Sequence, residues 1–125
     1  EIIAGYASAY GLFDLFLERI AYTEPHFDAI PGALFLKSCL DFHTSGTEMS
    51  DFDRLKALEF EIEESHPGGQ RESILPIFQG LIKKAQKLMF EHEKSDLETK
   101  FDTNSSEYFI AYSSLLKKGK ELGII

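Results

Sequence analysis

Apolar residues between Ile2 and Tyr22 recur at helical spacing without keeping to one side. At 100° per residue, Ile3, Tyr6, Ala7, Tyr10, Phe13, Leu17, Ile20 and Ala21 form one wide face. Leu12, Leu15 and Phe16 carry the apolar surface round most of the remaining circumference. A helix that is greasy nearly all round is a central one, packed on by several neighbours. The pattern therefore predicts one helix over 2–22 at the middle of an all-α bundle. Gly5, Ala7, Ser8, Ala9 and Gly11 make its first half small-sided, which lets another helix approach closely, while the glycines lower its intrinsic propensity. Asp14, near the Ala7–Ala21 side, calls for solvent or a polar partner.

Thr23-Glu24-Pro25 breaks this helix, with Thr23 placed to cap a short element through Ile30 and Pro25 in its first turn. Pro31 is placed to open a second helix to Phe42 or His43, rich in Leu34, Phe35, Leu36, Cys39 and Leu40. Residues 43–49, with Gly46, read as a helix–helix connection. Ser50 and Asp53 mark the start of a third helix from Asp51 to Ser65, stopped by Pro67-Gly68-Gly69. Its apolar face is Phe52, Leu55, Leu58 and Ile62; Phe60 points about 140° from the centre of that face. A fourth helix starts between Ser73 and Pro76, where proline's missing donor is harmless, and runs to Glu93. Ile74, Ile77, Phe78, Leu81, Ile82, Ala85, Leu88 and Met89 form its stripe, and Phe90 falls off it. Ser95 and Glu98 have capping-box spacing for a short turn through Phe101. Asn104 with Glu107 opens the last helix, which ends near Lys118 with Gly119 as its C-cap. There Tyr108, Phe109, Ala111, Tyr112, Leu115 and Leu116 are expected inward. No period-two segment of useful length occurs. The expectation is about five main helices in a single compact domain over 1–125.

Length and charge narrow the role. The 125 residues suffice for one core, and no uninterrupted apolar run is long enough for a membrane span, because Asp14, Glu18 and Arg19 interrupt the first helix. The net charge of −8 opposes phosphate-backbone binding. The short basic sets Lys83, Lys84, Lys87 and Lys117, Lys118, Lys120 suit solvated faces and helix ends, so no direct nucleic-acid binding is expected. The lone Cys39 allows no intrachain disulfide and reads as a small buried hydrophobe. With no leader-like pattern, the expected location is cytoplasmic, although Glu1 in place of Met also suits a processed chain.

Two regions invite chemistry. Glu63 and His66 have the Glu-x-x-His spacing of di-metal carboxylate bundles, and Glu59 lies one turn earlier. Those three are the candidate metal ligands, but the pattern lacks its second copy and His66 falls at the helix end just before Pro67, so a solvated acidic face is the favoured reading. The other histidines, His26, His43 and His92, are scattered without a motif. No nucleotide fingerprint, zinc-finger spacing, calcium loop or hydrolase elbow is present, and no cofactor is called for.

The second region is acidic. From Glu48 to Glu72 there are eight acidic and three basic residues, a local charge of −5. Such a surface steers toward a basic protein partner. Phe60, Glu61, Glu64 and Phe90 are the candidate contact residues, the two aromatics as apolar anchors. The favoured expectation is an acidic interaction module, such as an inhibitor, an immunity-like protein or a regulatory adaptor. A metal enzyme using Glu59, Glu63 and His66 is the alternative. A third reading is a homo-oligomer built through the apolar surface of the first helix.

Overall fold

The computed structural model describes residues 2–22 and 25–124. All regular structure among them is helical: α1 (Ile2–Tyr10), α2 (Phe13–Arg19), a 3₁₀ segment (Pro25–Ala29), α3 (Ala33–Ser45), α4 (Phe52–Ser65), α5 (Arg71–Lys100) and α6 (Ser106–Leu122). The all-α bundle expected from the pattern is the architecture found. No helix among the described residues is long and apolar enough to cross a membrane.

The helix expected over 2–22 is two helices. Gly11 takes φ +66°, a left-handed conformation that glycine adopts without steric cost, and this stops α1. Leu12 fills the break, fully buried, with its N–H bonded to the Ala7 carbonyl at 2.9 Å. The all-round greasiness still had the expected meaning. Ala4, Ala7, Leu12, Phe13, Phe16 and Ile20 all enter the core, so most of the surface considered for self-association is consumed within the chain. Phe27 of the 3₁₀ segment is fully buried and meets Phe16 edge-on, with ring centroids 6.3 Å apart. Thr23, the expected cap of this segment, lies outside the described residues.

Other boundaries move for local reasons. Gly32, not Pro31, stands before α3, and α3 continues to Ser45 until Gly46, at φ +68°, closes it by donating to the Phe42 carbonyl. At the N-cap of α4 stands Asp51, without a side-chain cap bond, rather than Ser50. α5 begins at Arg71, earlier than expected, so Pro76 lies inside it. The ring deprives the Glu72 carbonyl of its intrahelical donor, and burial of Ile74 and Phe78 on either side holds the helix through that gap. The Ser95/Glu98 capping box does not form: α5 continues unbroken to Lys100. Ser105, not Asn104, caps α6, its hydroxyl accepting from the Tyr108 N–H at 3.1 Å. The helix ends at Gly123, while Gly119 is buried within it. Phe109, expected inward, is 70% exposed; only Leu115 and Gly119 of α6 are buried, so a narrow stripe of this helix faces the bundle.

The small-sided half of α1 packs against α4. A Cβ placed on Gly5 would lie 3.1 Å from Ile62 Cγ1 and 3.4 Å from Leu58 Cβ. The helices meet there at a separation that leaves no room for a branched side chain. Replacing Gly5 with Val is expected to destabilise the fold by about 1–3 kcal/mol through overpacking, despite valine's better helix propensity. Urea denaturation measures it. An unchanged midpoint would mean that this contact is loose.

Candidate functional site

α4 has two unlike sides. Leu55, Leu58 and Ile62 face α1 and the core, and Leu55 is the helix's one buried residue. On the flank beside them, two polar contacts tie α4 to α1. Ser8 Oγ donates to Glu59 Oε2 at 2.7 Å, and Tyr6 Oη lies 2.8 Å from His66 Nε2. The tyrosine and histidine rings also touch, with centroids 5.6 Å apart. Glu59 further accepts from Lys56 Nζ at 3.2 Å.

These contacts give two of the three expected metal ligands another occupation. Glu59 is held by a hydroxyl and an ammonium, His66 by a phenol, and Glu63 is exposed. Their ligand atoms are not gathered into one cluster. Only one such group of three occurs among the described residues, and it lies elsewhere: His26, His92 and Asp96, with one ligand atom from each within 4.8 Å of the others. Both histidines are visible in the sequence, but no motif joins them. The one local signal was the i,i+4 spacing of His92 and Asp96, which puts them on one face of α5.

The opposite side of α4 carries the expected contact residues. Phe60 is 61% exposed, and helical geometry places Asp53, Lys56, Ala57, Glu63 and Glu64 around it, all of them exposed. Glu61 is exposed on the adjoining flank. The basic residues of this helix are turned to other work. Lys56 pairs with Glu59 and lies over the Phe52 ring, and the Arg54 guanidinium stacks on Phe35 at 4.5 Å. Among the described residues, the carboxylates of Asp53, Glu61, Glu63 and Glu64 have no cation partner.

Phe90 is not part of this surface. It is half-buried and lines a pocket with Arg19, Ile20, Met89, Lys118 and Leu122, to which α4 contributes nothing. Ile124, just beyond α6, lines that pocket too.

The remaining reactive candidates have structural partners. Asp14 meets His43 Nε2 at 2.8 Å, and the His43 ring rests on Phe13. Cys39 is fully buried, and that burial pushes its thiol up to about 11. A raised pKa leaves little thiolate at neutral pH, so Cys39 does not present a nucleophile.

Two outcomes follow. A double-mutant cycle of Tyr6→Phe with His66→Ala is expected to give a coupling of about 1 kcal/mol in chemical denaturation; additivity would remove this bond from the account. Cys39 is expected to resist a water-soluble thiol reagent at pH 8 in the native protein and to react at once in denaturant, a contrast that absorbance follows directly.

No family model, curated protein or solved structure matches the chain.

Proposed function

We propose that this chain is an acidic protein-interaction module that binds a basic protein through the outer face of α4. One observation carries the reading: Phe60 stands 61% exposed in a setting of uncompensated carboxylates. Exposure alone is ordinary, as Phe109 at 70% shows; the ring of carboxylates distinguishes Phe60, because an aromatic at the centre of a polar patch is the usual anchor of an interface. The surrounding charge adds selectivity. Asp53, Glu61, Glu63 and Glu64 favour approach by a lysine- or arginine-rich surface and repel an acidic one. The net charge of −8 acts in the same direction at long range.

The fold supports this division of labour. α4 is fastened from behind by Leu55, Leu58, Ile62, Ser8 and Tyr6, so its outer face is a rigid helical surface. Binding through such a face orders little that is not already ordered, which favours affinity. Phe90 belongs to a separate pocket and has no part in this contact.

The test uses the partner captured from native lysate and then purified. Phe60→Ala is expected to raise the dissociation constant about tenfold or more. Glu61→Lys with Glu64→Lys is expected chiefly to slow association and to flatten its salt dependence. Because these positions are exposed, all three substitutions should leave the melting temperature unchanged. Full affinity in both variants would remove the α4 face from consideration.

A further inference from the structure

The geometry points to a divalent transition-metal site formed by His26, His92 and Asp96, with zinc as the best-suited occupant. His26 Nδ1 lies 3.5 Å from one Asp96 oxygen and His92 Nε2 lies 4.0 Å from the other. Both spacings exceed the roughly 2.7–2.9 Å of a charge-assisted hydrogen bond. The 3.5 Å spacing matches the edge of a tetrahedral shell, and the 4.0 Å spacing exceeds it, so His92 would close in on a bound ion. Metal–ligand bonds of about 2.0–2.2 Å place neighbouring ligands about 3.3–3.6 Å apart. One ligand atom from each of the three groups lies within 4.8 Å of the other two. The imidazole rings approach at 61°, with centroids 5.3 Å apart, so they do not stack face to face.

The donor set selects the class of ion. Two imidazole nitrogens and one carboxylate oxygen suit zinc, cobalt, nickel or iron(II), and are too nitrogen-rich for calcium or magnesium. Three protein ligands leave at least one coordination position for water or another ligand.

The site is also braced. His92 and Asp96 stand one turn apart on α5, a helix without a break at that point. His26 comes from the 3₁₀ segment, whose next residue, Phe27, is fully buried against Phe16. Asp28, one residue further on, accepts from Lys37 Nζ of α3 at 2.7 Å. These two anchors fix the backbone on the C-terminal side of His26, and its side chain is only 19% exposed. A metal here would join the 3₁₀ segment to the C-terminal third of α5 and so tie two elements that sequence separates widely.

Isothermal titration of tag-free protein with zinc, and visible absorption with cobalt, test the assignment together. The expected result is one equivalent of zinc and a cobalt spectrum of low-coordinate intensity. His92→Ala, His26→Ala and Asp96→Asn should each weaken zinc binding by about tenfold or more, the range in which even outer-sphere partners act. His92 is half-exposed, so its variant should fold as the wild type does, which circular dichroism checks. Zinc should raise the melting temperature of the wild type and not that of His92→Ala. Less than one equivalent on the wild type would overturn the proposal. So would binding that survives His92→Ala and Asp96→Asn, or that is lost on replacing Glu59 and His66 instead.

Discussion

Everything in this bundle depends on how closely α1 can approach α4. Ala4, Gly5 and Ala7 are buried, and Gly5 leaves Ile62 and Leu58 in contact with the α1 backbone. Small residues give up side-chain area to gain proximity, and proximity lets the surrounding larger residues close over the seam. Toward α3, α4 is held by Arg54 over the Phe35 ring and by Phe52 against Phe42. With Leu55 as its one buried residue, its place in the fold is set chiefly by the α1 surface, with the Ser8–Glu59 and Tyr6–His66 contacts at the margin. The polar contacts fix rotation and register; the apolar seam supplies most of the free energy.

That arrangement leaves the far side of α4 unconstrained by packing. A helix fastened along one side is free to be specialised on the other. In α4 the inner side is aliphatic and the outer side combines Phe60 with several carboxylates. The same logic places His92 and Asp96 on α5, where Ile74, Phe78, Ile82, Ala85 and Met89 hold the helix in the core. The His26 side of that cluster is carried by a segment nailed down through Phe27. In both regions, the polar residues of interest project from elements whose position is determined by buried neighbours.

The sequence made the helices legible because their apolar stripes are strong: Leu55 of α4 and Ile74, Phe78, Ile82, Ala85 and Met89 of α5 are buried as the spacing expects, whereas Phe52, Ile77 and Leu88, at the margins of the same stripes, are exposed. It also made Phe60 stand out, since one aromatic far from its helix's stripe is easily seen. Punctuation was harder. Gly11 breaks the first helix, yet Leu12 and Phe13, immediately after it, are both buried, so hydrophobicity runs on past the break. Pro76 looks like a helix start and lies inside α5. Ser95 and Glu98 have cap spacing, but the helical run around them meets neither glycine nor proline, and the helix continues. Phe109 illustrates the limit of composition, because α6 meets the bundle along too narrow a stripe to bury every aromatic on it. The His26–His92–Asp96 cluster was hidden for a different reason: 66 positions separate its histidines, and only the docking of the 3₁₀ segment on α5 joins them.

The α1–α4 seam is the claim on which the rest stands, and residue-resolved native-state hydrogen exchange tests it most directly. α1 and the core-facing half of α4 should open together, with matching free energies and the same denaturant dependence. Independent opening of α4 at markedly lower free energy, while α1 stays protected, would contradict the account. The outer face of α4 would then be a loosely held helix and not a surface fixed from behind.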